Sequence, residues 1–143
     1  MNLGIIARNT IRTIPVLTLG LSLGCMQGKS GWQNFIEKTN IMIVDAGKKH
    51  DCVGRGEGEI EMESMKGEYI AKDIAKNNAY MDYKLRCVDS LALNIKIDRE
   101  NGVITGVMAN GSFLNIKLSV CGEENYSSGE MYYSTVAVCG QKD

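Results

Sequence analysis

The sequence predicts an α+β fold, in which an antiparallel sheet packs on one long amphipathic helix and a signal peptide precedes the domain. Between residues 68 and 89, apolar residues recur at intervals of three and four, which is typical of a helix. After Leu93 the interval changes to two, which is typical of strands with one buried face. Glycine and asparagine mark the turns between these strands, and the chain has a single proline. Its 143 residues, 44% of them hydrophobic, fit one domain with a modest core.

The first 24 residues have the layout of a secretory signal. Arg8 and Arg12 precede an apolar run from Thr13 to Gly24, and Cys25 follows it. A helix needs about 20 residues to cross a bilayer, and this run is shorter, so we expect no permanent transmembrane anchor. The alternative for this segment is a buried N-terminal helix.

Cys25 follows the sequence Leu21-Ser22-Leu23-Gly24, which resembles a bacterial lipobox. The resemblance implies cleavage before Cys25 and acylation of its thiol. Buried acyl chains contribute about 0.8 kcal/mol per CH₂ group, so several chains would hold the protein on a membrane surface. We therefore expect a lipoprotein signal peptide over residues 1–24, a tether over 25–31 and a single α+β domain over 32–143.

Five cysteines in an exported chain leave one unpaired. If Cys25 carries the lipid, Cys52, Cys87, Cys121 and Cys139 form an even set with three possible disulfide connectivities. We favour Cys121 with Cys139, at the ends of two predicted neighbouring strands, and Cys52 with Cys87, which lies on the predicted helix. The alternative is four reduced, buried cysteines. Metal binding is disfavoured, because no two cysteines have the close spacing of a zinc knuckle.

The predicted domain begins with an apolar patch, Trp32, Phe35 and Ile36, for which we expect core packing rather than ligand stacking. The apolar run Ile41 to Val44 is ambiguous by periodicity, and fits either a strand or a docking segment. A polar loop is expected from Gly47 to Asp51.

The glycines at alternate positions 54, 56 and 58 remove side chains from one face of the next strand. Such a face suits the close approach of another backbone, and we expect the long helix to provide it. That helix carries alanine at every fourth position from Ala71 to Ala79, which gives it a narrow edge. Its predicted buried stripe consists of Ala71, Ile74, Ala75, Asn78, Met81, Leu85 and Val88.

The rest of the chain reads as strands joined by tight turns. The Asn-Gly pairs at 101–102 and 110–111 favour hairpins. We expect strands over residues 94–98, 103–108, 114–120 and 131–139, with a further turn at 127–129.

The candidate catalytic and ligand motifs are weak. His50 is the only histidine, and we expect it to be solvated in a polar loop, which leaves a nucleophile without its usual base. Gly28-Lys29-Ser30 lacks the first glycine of a phosphate-binding loop, because Leu23 stands there. The glutamates at 57, 59, 61 and 63 alternate along a strand, and a solvated face is the expected arrangement. We therefore expect no catalytic residue, cofactor, metal or small-molecule substrate.

The 16 basic and 17 acidic side chains are mixed along the chain. A nucleic-acid-binding protein would concentrate its basic residues, so we expect no nucleic-acid partner.

Several of these features together resemble the LPP-twenty group of outer-membrane lipoproteins, which includes the flagellar P-type lipoprotein. They are the lipobox-like Cys25, Trp32 shortly after it, the segment VGRGEG from Val53 to Gly58, and the spaced alanines of the helix. The closing segment Ser128 to Val138 also resembles the last strand of that family. The resemblance implies a non-enzymatic envelope protein that oligomerises or supports assembly of a surface structure, such as flagellar basal components.

Two functions follow as hypotheses. In the first, acylated Cys25 holds a structural or assembly domain at the outer membrane, and exposed strand edges mediate self-association. In the second, the chain is a lipid-anchored inhibitor, immunity or exclusion protein that binds one protein through the loops Gly47–Asp51 and Gly122–Gly129. A periplasmic enzyme is disfavoured, because no nucleophile is paired with a base.

Overall fold

The computed structural model describes residues 30–142. The predicted signal peptide and Cys25 lie outside these residues. The described elements, in chain order, are α1 (Gly31–Lys49), β1 (Val53–Glu61), α2 (Lys66–Tyr83), a π-helical turn (Lys84–Val88), β2 (Ala92–Asp98), β3 (Val103–Met108), β4 (Phe113–Ser128) and β5 (Met131–Lys142).

The strands form one antiparallel sheet in the order β1-β5-β4-β3-β2. Strands β2 to β5 follow one another as a meander, and β1 pairs with β5 at one end of the sheet. The α+β class is therefore confirmed. The tight turns are also confirmed at Gly102 and Gly111, which both have a positive φ angle.

The prediction of one helix is wrong, because two helices cover opposite faces of the sheet. Successive residues of a strand point to opposite faces of the sheet. In β5, two successive residues pack against different helices. Val138 belongs to the same buried cluster as Ala79 of α2. Its neighbour Cys139 belongs to a second buried cluster with Ala46 of α1.

Helix α1 begins at a capping box. The Ser30 hydroxyl accepts a hydrogen bond from the backbone N–H of Gln33, and the Gln33 side chain accepts one from the backbone N–H of Ser30. The run Ile41–Val44 lies within this helix, so it is not a strand, and its middle residues Met42 and Ile43 pack against the buried cluster that contains Cys139. Its end residues are 61% and 54% exposed, because the helix buries other positions, among them Phe35 and Ile36.

An aromatic cluster docks the first turn of α1 on the sheet. The Trp32 ring lies 4.8 Å from the Tyr133 ring and 5.7 Å from the Tyr126 ring, centroid to centroid. Phe35 stacks on Tyr126 at 5.8 Å. Trp32 therefore packs against the protein itself, as expected.

Helix α2 lies on the face of β1 that carries the glycines. A Cβ atom added at Gly54, Gly56 or Gly58 would clash with backbone atoms of α2, so the predicted close approach is confirmed. The predicted buried stripe is partly wrong, since Leu85 is 62% exposed while Tyr83 is buried. Contact with the glycines fixes the rotation of α2 about its own axis. The residues that face β1 therefore recur at every fourth position from Ala71 to Tyr83.

Strand β4 is longer than the sequence predicts. It continues to Ser128, so the predicted loop Gly122–Gly129 is wrong. A shift in the pairing of β4 with β5 between Val120 and Gly122 marks a β-bulge. The bulge interrupts the alternation of apolar and polar residues, so the sequence pattern does not predict the second half of the strand. The turn itself lies at Gly129, where φ is +61°.

Candidate functional site

Two disulfide bonds join the four described cysteines in the favoured pairing. Cys52, just before β1, is joined to Cys87 in the π-helical turn, with 6.1 Å between the Cα atoms. Cys121, in the bulge of β4, is joined to Cys139 of β5, with 5.9 Å between the Cα atoms. The predicted connectivity is therefore confirmed.

A cleft of about 580 Å³ opens beside the Cys52–Cys87 disulfide. Its lining includes Lys49 and Asp51, at and just after the end of α1, and Tyr83 and Arg86, at the end of α2 and in the π-helical turn. Burial and the negative charge of Asp51 raise the pKa of Tyr83, so its hydroxyl keeps its proton at neutral pH. The cleft offers charges of both signs to a ligand.

His50 was expected to be solvated, and this expectation is partly wrong. The residue follows the last turn of α1 and is half-buried. One of its ring nitrogens lies within 4.8 Å of both sulfur atoms of the Cys121–Cys139 disulfide. The sequence carries no local signal for this cluster, since its members come from the end of α1, from β4 and from β5.

The expectation of a solvated row of glutamates is partly wrong, because Glu61 and Glu63 are exposed but Glu57 and Glu59 are not. Glu59 is only 7% exposed, and the Glu57 carboxylate lies 3.2 Å from the Arg55 guanidinium. The prediction assumed that this face of the strand meets water. Helix α1 covers part of it instead, and Glu57 and Gly58 line a small cavity with Trp32.

Side chains of α2 cover part of the outer edge of β1. The backbone N–H of Arg55 donates to Asp82 Oδ2 over 2.8 Å. The Asn78 side-chain amide donates to the backbone oxygen of Glu57, also over 2.8 Å. These bonds occupy main-chain groups that another strand would need, so β1 is not a free edge.

Strand β2 forms the opposite end of the sheet, and no strand among residues 30–142 pairs with its outer side. Its pairing with β3 shifts between Leu93 and Lys96, and Asn94 has a φ angle of +55°. Such bulges restrict pairing at an edge. Only the short stretch from Lys96 to Asp98 remains in continuous register with β3.

We call the side of β2, β3 and β4 that faces away from α2 the open face. The strand register aligns its residues in three rows across the strands. The rows are Leu93–Val107–Phe113, Lys96–Thr105–Asn115 and Asp98–Val103–Lys117.

The first row of the open face is apolar and largely uncovered. Leu93 is 71% exposed and Phe113 is 86% exposed, with Val107 between them. Large apolar side chains that lie next to one another on a surface are a frequent mark of an interaction site. Periodicity alone did not separate this row from the core, because both faces of these strands carry apolar residues.

Comparison with known proteins gives no relative: no family model, curated protein or solved structure matches the chain. Among residues 30–142, no helix is both long enough and apolar enough to cross a membrane. Sequence pattern and the geometry above are the basis for a functional proposal.

Proposed function

We propose that this chain is a non-enzymatic bacterial envelope lipoprotein, held at the outer membrane by acylated Cys25, with a structural or assembly role. The folded domain acts by self-association through the open face. The observation that carries the proposal is the exposed apolar row Leu93–Val107–Phe113, at the end of the sheet where no strand among residues 30–142 pairs with the outer side of β2.

The anchor is supported by the order of residues at the start of the chain. Arg8 and Arg12 precede the apolar run, and Gly24 provides a small residue before Cys25. Acyl chains on Cys25 would confine the domain to a membrane surface.

A second copy of the chain suits the open face because the face is self-complementary. A two-fold axis parallel to β3, between two stacked faces, lays β2 of one copy over β4 of the other. Leu93 then meets Phe113 of the second copy, and Val107 meets its own equivalent. In the third row Asp98 meets Lys117, and the same pair forms a second time by symmetry. This charge complementarity favours a copy of the chain over an unrelated partner.

The patch covers only short stretches of three strands, so we expect pairing to be weak in dilute solution. Stable dimers usually bury about 800 Å² on each partner. Anchoring two copies to one surface raises their effective concentration. We therefore expect association on membranes rather than in dilute detergent.

Zero-length cross-linking on vesicles tests the association. The full acylated chain is reconstituted at increasing surface density and treated with a carbodiimide, which joins only carboxylates and amines in contact. A mixture of ¹⁴N- and ¹⁵N-labelled chains distinguishes links between copies from links within one copy. The expected product is a link between Asp98 and Lys117 of two copies, with a yield that rises with density.

Phe113→Asp places a charge in the apolar row and is expected to abolish this link. Ile41→Asp is the matched control, because Ile41 is equally apolar and 61% exposed but lies on α1. A chain that gives no intermolecular link at any surface density contradicts the assembly role.

Mass spectrometry of the mature N-terminus tests the anchor separately. The expected N-terminal residue is acylated Cys25, and Cys25→Ser is expected to leave the chain unprocessed. An intact Met1 or an unmodified Cys25 contradicts the lipoprotein assignment.

A further inference from the structure

Three potential metal ligands converge where α1 ends above β4 and β5. His50, Cys121 and Cys139 each place a ligand atom within 4.8 Å of the other two. Cys139 is 1% exposed, and the other two residues are half-buried. In the disulfide form the two sulfur atoms are bonded to each other, so neither is the thiolate that binds a metal ion.

We propose that reduction of the Cys121–Cys139 disulfide turns this cluster into a zinc site. A dithiol reductant supplies two electrons and two protons, and the products are two cysteine thiols and the disulfide of the reductant. Zn²⁺ then displaces one proton from each thiol and binds both thiolates and one imidazole nitrogen of His50. The site is masked in the oxidised protein and open in the reduced protein.

The donor set fits zinc. Two thiolates and an imidazole are ligands that Zn²⁺ prefers, and three protein ligands with an open fourth position are a known arrangement for it. Among residues 30–142 the cluster contains no fourth histidine, cysteine or carboxylate. A water molecule or an external ligand would complete the tetrahedron.

The required movement is small. Zn–S bonds of about 2.3 Å and Zn–N bonds of about 2.0 Å place tetrahedral ligand atoms about 3.5 to 3.8 Å apart. The three ligand atoms already lie within 4.8 Å of one another, so the imidazole nitrogen is close to the distance that zinc requires. The two sulfur atoms have to move apart once their bond is reduced.

The backbone around the cluster lets Cys121 move and holds His50 in place. Cys121 lies at the bulge of β4, between the paired residues Val120 and Gly122. A bulged residue is unpaired in the ladder, so its side chain can be redirected. His50 is held by its backbone N–H, which donates to the Ala46 oxygen over 3.1 Å.

The experiment titrates Co²⁺, a spectroscopic substitute for Zn²⁺, into the full chain with and without a phosphine reductant. The phosphine becomes a phosphine oxide and does not add a competing thiol. The reduced chain is expected to bind one Co²⁺, with thiolate-to-metal charge-transfer absorption that Zn²⁺ then displaces. The oxidised chain is expected to bind none.

Three variants assign the site. Cys121→Ala is expected to lose the charge-transfer absorption of this site. His50→Ala is expected to weaken binding about 100-fold or more, because loss of an outer partner alone weakens metal sites 10- to 100-fold. The double variant Cys52→Ala with Cys87→Ala is the control and is expected to bind normally, since among residues 30–142 that pair belongs to no group of three potential metal ligands.

Circular dichroism accompanies each titration. If reduction loosens the fold, Zn²⁺ must restore the spectrum of the unmodified chain and must fail with His50→Ala. Equal affinities of the unmodified chain and His50→Ala, binding by the oxidised chain, or a loosened fold that Zn²⁺ does not restore would each overturn the proposal.

Discussion

At the scale of single residues, Gly56 shows how a missing side chain sets the position of a helix. A Cβ atom there would overlap the backbone oxygen of Ala75 and the backbone nitrogen of Ala79. Backbone atoms cannot turn away as a flexible side chain can, so any side chain at this position pushes the whole helix. The close approach also explains why Asn78 and Asp82 reach the edge of β1.

We expect Gly56→Ala to destabilise the protein by about 1 to 3 kcal/mol, the usual cost of overpacking. The measurement is the midpoint and slope of urea unfolding, which together give the free energy of unfolding. Gly47→Ala is the control, because Gly47 lies in α1 and a Cβ atom there has no neighbour within 4 Å. Alanine favours a helix over glycine by up to about 1 kcal/mol, so this variant should be unchanged or more stable. Equal losses in both variants would contradict the explanation.

A second effect at this scale concerns Glu123, whose carboxylate lies 3.0 Å from the Lys72 ammonium of α2. Burial acts to raise the pKa of Glu123, but the hydrogen bond from Asn125 and the bond and charge of Lys72 together lower it. A lowered pKa contributes stability that is complete above the ordinary glutamate value of about 4.3 and is lost as the pH falls through the folded value.

Glu123→Gln should therefore make the free energy of unfolding less dependent on pH below about 4.3. We expect a difference of at most about 1 kcal/mol, because the pair is partly exposed to solvent. Urea unfolding at a series of pH values measures it. Parallel pH profiles for the variant and the unmodified chain would show that the pair does not stabilise the fold.

At the scale of elements, the contact between α2 and β1 does two things at once. It buries the alanine edge of the helix, and it supplies hydrogen bonds to main-chain groups that a further strand would otherwise use. Asp82 is central, because its other carboxylate oxygen accepts from Arg86 Nε over 2.9 Å. These bonds restrict pairing at the β1 edge, whereas no strand among residues 30–142 pairs with the outer side of β2.

We expect Asp82→Ala to lower the free energy of unfolding by about 1 to 3 kcal/mol, since it leaves the Arg55 N–H without its acceptor. Hydrogen exchange at the Arg55 amide should become faster, whereas loss of the surface charge alone would leave it unchanged. Asp89→Ala is the control, because Asp89 pairs with the Lys84 side chain in the π-helical turn. Surface pairs of that kind contribute about 1 kcal/mol or less.

Short sequence patterns predicted the elements whose packing depends on neighbouring residues in the chain. The spacing of the glycines in β1 and of the alanines in α2 predicts their close packing, and the Asn-Gly pair predicts the turn at Gly102. Helix α1 was not predicted, because the periodicity of its Ile41–Val44 run is ambiguous and suggested a strand or a docking segment. The cluster of His50 with Cys121 could not be predicted, because it depends on a bulge and on how α1 crosses the sheet.

At the scale of the whole molecule, the start of α1 and the open face lie at different ends of β4. The chain enters α1 at Gly31, close to the Tyr126 ring near the end of β4. Phe113 begins the same strand, and at about 3.3 Å per residue the two positions are at most about 43 Å apart. In the proposed lipoprotein, the open face therefore begins at the opposite end of β4 from the residue at which the tether joins the domain.

Self-association makes thermal stability depend on protein concentration, because anything that binds only the folded chain stabilises it by mass action. For the full chain on vesicles, we expect the Tm to rise with surface density. Phe113→Ser should remove this dependence and leave the Tm at low density nearly unchanged, because Phe113 is 86% exposed and contributes little to the core of a single copy. Ile41→Ser, on the surface of α1, should keep the dependence. A Tm that is the same at every density in the unmodified chain would mean that the open face binds no second copy.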